Sequence, residues 1–482
     1  MRITLFNLSA RLSSDGSRLI AALLKRAGHK VTSVYLARSE PMFYSTAELE
    51  CLDDILKQSD LVMIGVYSIY AARAAQITGF IHNRYPGLKV IWGGPHCISA
   101  PELSICHADG VCFSEGDEAV IELVKRMESG GDYLNTPNMA FTVNGSAVLN
   151  KILPPFSDLD SLPYCDYEFE DQFLLDKALF PMNRENFKVH ISDYPYNKPI
   201  LFVLTSRGCP YNCSYCNNCR YTALFKNNPI RIQNSTRIMD ELTWTLEHLD
   251  LVELVGFGDD DFFVRSVEEL EDFAEKYKRR IGLPFMIGIS ANSFDKKKMG
   301  ILLDAGLRIA QMGVQSGSDK ILSEVFYRRI KTSKTMWAVE QISPYHNTHG
   351  LDLLLDFIID NPYESKDDII KTYKYILVLP PSVKLNIFFL SFFPGTPIYE
   401  RALADGIIEP FTYDSFRFYR RGKVKYQKNY ETFLVLFVTY LRNKSKRHIP
   451  SILLHFLGSR PVRALASLFP DSLYAFLGSA LK

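Results

Sequence analysis

Residues 205–220 read TSRGCPYNCSYCNNCR, and Cys209, Cys213 and Cys216 stand there in a C-x3-C-x2-C pattern. Three thiolates on one tight loop can each bind one iron of a 4Fe-4S cubane, which leaves the fourth iron without a protein ligand. An open iron is what an incoming cofactor or substrate needs in order to coordinate. Gly208 and Pro210 help the loop turn back on itself. A zinc knuckle or a set of buried structural thiols is the plainer alternative. Zinc usually takes four closed ligands, often from two C-x2-C pairs. Cys216 and Cys219 form one such pair, but no second pair and no Cys/His knuckle follows. A fourth thiolate would close the open iron, so Cys219 is expected not to be a ligand.

The cysteine run follows ILFVLTS (200–206), the first strand of a β/α series. Further strands read LVELVGF, PFMIGIS, IAQMGV, LDLLLDFII and KLNIFFLSF, with helical stretches at 235–248, 267–280, 295–305 and 364–378 between them. Six strands with their helices predict a partial (β/α)6 barrel over 196–405, whose chemistry belongs at the C-terminal strand ends. An earlier series, RITLF, KVTSVYL, LVMIGVY, KVIWGG and GVCFSEG, alternates with helices over 1–135. That alternation predicts an open parallel, Rossmann-like sheet, making the chain α/β overall. Between the two lies a hairpin and linker segment, 136–195, with Asn144-Gly145 as a type I′ turn and no clear periodicity over 165–198. From 406 to 482 the alternation stops and a basic, aromatic, helical C-terminal tail is expected.

C-x3-C-x2-C with Tyr215 before the last cysteine resembles the radical S-adenosylmethionine superfamily. GFGDDDFF (256–263), Ser290, GVQSGSDKIL (313–322), DFIIDNPYES (356–365) and FFPGTPIYE (392–400) follow in the order that family uses. In the fifth-strand segment Asp360 and Asn361 stand where the family usually has Gly-Leu. Singly, GVQSGS is only a turn after a strand and the Asp259–Asp261 run a solvated loop. The resemblance covers about 200–405. It implies S-adenosylmethionine bound at the open iron, with Tyr215, Gly258, Asp259, Asp260, Ser290 and Gln315 as candidate contacts.

Segments within 60–128 are similar to the cobalamin-binding module that precedes many such enzymes: GVYSIYAARAAQI (65–77), VIWGGPH (90–96), PEL (101–103) and DGVCFSEGDEAVIEL (109–123). Small residues at strand ends let backbone approach a flat ligand. Ser68, Gly93, Gly94, His96, Glu115 and Gly116 are the candidate contacts. The Asp-x-His-x-x-Gly motif that supplies a lower histidine in other cobalamin proteins is absent, and neither His96 nor His107 fits it. No histidine ligation by that motif is expected, and His96 reads as a local loop residue rather than a cobalt ligand. An ordinary flavodoxin-like domain is the alternative for this half.

Together the resemblances imply reductive cleavage of S-adenosylmethionine to a 5′-deoxyadenosyl radical, hydrogen abstraction from an unactivated carbon, and methyl transfer from methylcobalamin. The alternative within enzymes is cyclisation, ring rearrangement or oxidation without methyl transfer. A methylthiotransferase would carry three more cluster cysteines and an RNA-binding barrel. A non-catalytic cobalamin or cluster sensor would not need the loops at 256–263 and 313–318. The partners implied are a small-molecule or lipid substrate and an external one-electron reductant such as flavodoxin or ferredoxin.

Composition narrows this further. Net charge is +1 over 482 residues, which gives no global field toward nucleic acid. The nine cysteines suit a reducing cytoplasm better than an extracellular disulfide framework. The N-terminus reads as no secretory signal, and no run reaches the ~18 apolar residues that span a bilayer. Between Phe416 and Arg447 the basic residues are Arg417, Arg420, Arg421, Lys423, Lys425, Lys428, Arg442, Lys444, Lys446 and Arg447, against the single acid Glu431. TFLVLFVTYL, SILLHFLG, PVRALASLF and SLYAFLG lie among and after them. These stretches either cap the barrel or form a cationic surface that rests on anionic lipid, a peripheral contact with the inner face of a membrane.

Overall fold

The computed structural model describes residues 1–9, 12–13, 15–38, 43–193, 198–226, 229–413, 429–444 and 450–481. β1 (Arg2–Asn7), β2 (Lys30–Tyr35), β3 (Leu61–Gly65), β4 (Lys89–Gly93) and β5 (Gly110–Cys112) pair in parallel, in the order β5-β4-β3-β1-β2. Their buried side chains are mostly apolar on both faces because helices such as Asp15–Arg26 and Ala71–Arg84 cover the sheet. The sheet does not stop at this parallel core. The hairpin of β6 (Met139–Val143) and β7 (Ser146–Leu149) adds antiparallel to β5. Its turn has φ 50° at Asn144 and 78° at Gly145, the two positive values a type I′ turn requires. β8 (Gln172–Asp176) joins β2 in parallel, and β9 (Ala178–Pro181) pairs antiparallel with β8. The result is a mixed nine-stranded sheet, to which the segment 136–195 contributes four strands, β6 to β9.

The second sheet has seven strands. β10 (Ser192–Asp193) pairs antiparallel with β11 (Lys198–Val203). After β11 the chain makes a two-stranded ribbon from β12 (Ser206–Arg207) and β13 (Arg231–Ile232), and the cysteine loop lies between its strands. β14 (Leu254–Phe257), β15 (Phe285–Ile289), β16 (Leu307–Gln315), β17 (Asp352–Ile359) and β18 (Lys384–Phe389) then extend β11 in parallel. Those six parallel strands are the curled half-barrel expected from the alternation. Its helices begin on side-chain caps: Asn234, Ser266, Asp295 and Ser365 each accept a backbone N–H of the first turn. Phe257, Phe262, Phe273, Tyr277 and Phe285 fill the layer between sheet and helices.

The two halves share packing. Ile321, Leu322, Phe326, Ile358, Leu390 and Phe392 of the barrel lie in one apolar cluster with Val66, Ala71, Trp92 and Cys97. After the last barrel helix, Pro397–Ala404, the chain returns to the first sheet, where Phe411 and Tyr413 pack against His96. Helix Tyr430–Lys444 buries Leu434, Val435 and Val438 in the barrel core, so this part of the tail caps the barrel. Asn443 gives its side-chain amide to Leu385 in both directions, and so continues the edge of β18. Three short helices follow, Ser451–Leu457, Arg460–Ala466 and Asp471–Ser479. No described helix is long and apolar enough to cross a membrane. Of the ten basic residues between Phe416 and Arg447 only Arg442 has a described side chain, which donates to the carbonyls of Leu379 and Pro380.

Candidate functional site

The cysteine loop occupies the C-terminal end of β11, where a half-barrel places its chemistry. Gly208 makes the entry possible: its φ is 95°, and a Cβ there would sit 2.4 Å from the carbonyl oxygen of Pro229. Ser214 locks the middle of the loop, donating its N–H to Phe326 O at 3.0 Å and its hydroxyl to Val325 O at 2.6 Å. Cys213 is buried, while Cys209 and Cys216 are half-buried. Burial, with the Asp260 carboxylate nearby, pushes the Cys209 thiol up to about 12, and burial raises Cys216 too. A coordinated metal reverses that cost, because it deprotonates the thiol outright. Cys219 lies buried on helix Asn218–Phe225, with its thiol raised to about 11 by burial.

Among the described residues no three His, Cys, Asp or Glu side chains converge tightly enough to hold one metal ion. The thiolates of a cubane bind separate irons and need not converge on one ion. One side chain beside the triad carries a further sign. Arg328 places Nη1 3.8 Å from Cys213 Sγ and 3.4 Å from the Tyr215 hydroxyl, and donates Nη2 to Gly313 O at 2.7 Å. Its Nε is buried with no hydrogen-bond partner in the chain. A buried guanidinium with Nη1 beside a thiol and a spare donor fits a site built for an electron-rich sulfur cluster. Sequence reading missed Arg328, because the arginine pair in YRRI (327–330) carries no motif.

The acidic run after β14 divides its labour. Asp259 is buried and fully used within the chain: it accepts from Thr205 N at 2.7 Å, Ser206 N at 2.9 Å, Thr205 Oγ1 at 2.7 Å and Arg265 Nη2 at 2.8 Å. It thereby pins the entry to the cysteine loop. Asp260 accepts from Asn218 Nδ2 at 2.9 Å, and burial raises it to about 6. Asp261 accepts from the hydroxyls of Ser293 at 2.8 Å and Tyr211 at 3.5 Å. Gly258 lies against Leu204, and Ser290 is buried at the end of β15. Gln315 sits at a register slip of β16 with φ 71°, a conformation a non-glycine residue keeps only where its surroundings hold it. Asp360, in place of the family's usual glycine, keeps a left-handed φ of 56°, which aspartate tolerates better than most residues. Burial raises Glu364 to about 8, and Ser316 donates to it at 3.3 Å.

On the first sheet several candidates are engaged within the chain. Glu115 takes a bidentate contact from Arg231 at 2.8 and 2.9 Å and the N–H of Phe156 at 2.7 Å. Its neighbour Asp117 takes one from Arg207 at 2.7 and 2.8 Å. The SEGD loop thus clamps the ribbon that frames the cysteines. His96 is buried, with Nδ1 3.0 Å from Ser68 Oγ and Nε2 2.8 Å from the Tyr413 hydroxyl. Burial and His107 lower it to about 4. Gly94 has φ 100°, and a Cβ there would press on Val66 backbone at 3.1 Å. Gly93 and Gly116 close the same edge, where Tyr67 and Ile69 stay exposed.

Residues 203–376 match the radical SAM superfamily. The chain carries a radical SAM domain. An uncharacterized methyltransferase of Pyrococcus horikoshii, PH0819, is 24% identical over 364 residues, 73% of this chain and 72% of that protein. TsrM from Kitasatospora setae, a radical S-adenosylmethionine methyltransferase, matches with a TM-score of 0.65 at 15% identity, over 85% of this chain and 77% of its own. OxsB, a cobalamin-dependent S-adenosylmethionine radical enzyme, matches with a TM-score of 0.61 at 15% identity, over 84% of this chain and 55% of its own. The shared fold thus reaches well beyond the radical SAM domain into the N-terminal sheet.

Proposed function

We propose that the protein is a cobalamin-dependent radical SAM methyltransferase acting on an unactivated carbon of a small molecule. The observation that carries the reading is Cys209, Cys213 and Cys216 at the C-terminal end of β11, with the Arg328 guanidinium beside Cys213. When bound, the cluster with S-adenosylmethionine would supply a 5′-deoxyadenosyl radical and cobalamin a methyl group. The chain's part is to hold and shield. Cys209, Cys213 and Cys216 would ligate three irons, and Arg328 donates toward Cys213 Sγ. Tyr215, Gly258, Asp260, Ser290 and Gln315 lie about the same strand ends and serve S-adenosylmethionine; Asp259 positions the loop rather than touching it. The edge formed by Ser68, Gly93, Gly94 and Gly116 would receive the corrin. Both nitrogens of His96 are occupied, so the reading includes no histidine below the cobalt. Glu115 serves this edge by docking it to Arg231.

PH0819 and TsrM are methyltransferases, which supports methyl transfer. OxsB, a cobalamin-dependent S-adenosylmethionine radical enzyme, supports a second reading in which the same radical drives cyclisation, rearrangement or oxidation. An electron donor such as flavodoxin or ferredoxin completes the proposal, and nine cysteines outside any disulfide suit a cytoplasmic setting. The test is anaerobic reconstitution with iron, sulfide and cobalamin, followed by S-adenosylmethionine labelled in its methyl group and small-molecule extract of the source cells. Label in a product together with 5′-deoxyadenosine supports methyl transfer. 5′-Deoxyadenosine with unlabelled product selects the second reading, and neither product overturns both.

A further inference from the structure

The last three helices turn their apolar side chains outward. Ile452 is 82% exposed, Leu468 77% and Phe476 72%, and Phe456, Leu465 and Phe469 are exposed as well. Exposed apolar side chains gathered on neighbouring helices mark interaction surfaces on soluble folds. The patch is not a loose tail, because its inner side is bolted to the barrel. Tyr373 donates to Leu454 O at 2.5 Å and Tyr430 to Leu457 O at 3.1 Å. Arg463 pairs with Glu431 at 3.0 Å and Asp367 at 2.9 Å, and the Tyr474 hydroxyl donates to Ala466 O at 2.8 Å. The apolar side chains are therefore presented by a fixed platform.

We propose that this face is a membrane-docking surface, seated in the interface of an anionic lipid bilayer. Each helix is too short to span, as an in-plane anchor should be. Charge chooses the occupant. The sequence from Phe416 to Arg447, which leads directly into the patch, holds ten basic residues and the single acid Glu431, and Asp471 is the only acid from 450 onward. Anionic headgroups attract such a segment, whereas a second copy would bring like charge against like. On its inner side, helix Asp471–Ser479 lines a crevice with Asp360 and Phe389, at the C-terminal ends of β17 and β18. The docked face is thus one helix away from the C-terminal ends of β17 and β18, in the same sheet whose β11 end carries the cysteine loop. Docking stands independently of the reaction; that the reactive end then faces the bilayer rests on the function proposed above.

The full chain is sedimented with phosphatidylcholine vesicles with and without phosphatidylglycerol, beside the triple variant I452E/L468E/F476E. All three positions are exposed, so unchanged thermal melting shows that the variant folds. The expected result is binding to the anionic vesicles that weakens in high salt and falls at least about tenfold in the variant. No binding at low salt overturns the proposal, as does equal binding by the variant. Self-association of the wild type that the variant abolishes, with vesicle binding unchanged, also overturns it. 5′-Deoxyadenosine formation in vesicle-free buffer, scored on the same samples, reports on the proposed reaction alone.

Discussion

Arg328 joins Cys213 to the fourth parallel strand of the half-barrel: its Nη1 stands 3.8 Å from Cys213 Sγ while its Nη2 donates to Gly313 O at 2.7 Å. Hydrogen bonds and positive charge beside a cluster sulfur favour the reduced, more negative state. Arg328→Met removes both. The reconstituted cluster's potential should fall by roughly 60 mV, the one-electron equivalent of ~1.4 kcal/mol, while iron content stays unchanged. Arg328→Lys should recover part of the shift. An EPR-monitored redox titration reads it, and an unmoved potential leaves Arg328 a packing residue.

The cysteines should separate by role. Cys213→Ala should lose the cluster and 5′-deoxyadenosine formation together. Cys219, on the helix after the loop, should be replaceable by alanine with iron content and cleavage retained. Iron analysis and chromatography of the cleavage product check both, and loss of the cluster in Cys219→Ala would make it a ligand.

The clamp between the halves should be energetic as well as geometric. Arg231 and Glu115 are about nine-tenths buried, with side chains 8% and 10% exposed. Removing Arg231 leaves the buried Glu115 carboxylate only the more distant Arg207 at 3.8 Å, so Arg231→Ala should cost about 3 kcal/mol. The double variant Arg231→Met/Glu115→Gln should recover much of the loss. Denaturant unfolding of the single and double variants measures the coupling.

His96 should make the fold acid-sensitive. Burial holds it near 4 in the folded chain against 6.5 when free. As pH falls below about 6.5 the unfolded chain gains a proton that the folded chain takes only near 4, so stability drops through that window and is level above it. The full effect is about 3 kcal/mol. His96→Gln should flatten this part of the stability profile, which thermal melting between pH 4 and 7 would show.

Local pattern carried much of this protein. C-x3-C-x2-C is a spacing of neighbours on one loop, and neighbours need no tertiary knowledge. The alternation of β and α is likewise a local periodicity, so the six parallel strands and the parallel core of the first sheet could be read directly. So could the Asn144-Gly145 turn, whose backbone demands that dipeptide. The segment 165–198 could not be read: β8 and β9 exist because β2 leaves an edge open beside them, and nothing in QFLLD or ALFP announces that edge.

Charge and hydrogen-bond assignments lay beyond sequence for a different reason. Asp259 and Asp260 are adjacent and chemically identical, yet one is consumed by Thr205, Ser206 and Arg265 and the other lies beside the cysteines. Sequence marks Glu115 as a candidate cofactor contact, but only folding brings Arg231 within 2.8 Å of it across 116 residues of chain. The tail shows the same division. Its apolar and basic character is written in the sequence, but the inward turn of Tyr474 and the outward turn of Phe476 depend on what lies on each side of one helix. Residue identity decides which contacts are chemically available; only the packed chain decides which partner arrives first and leaves the other groups free for function.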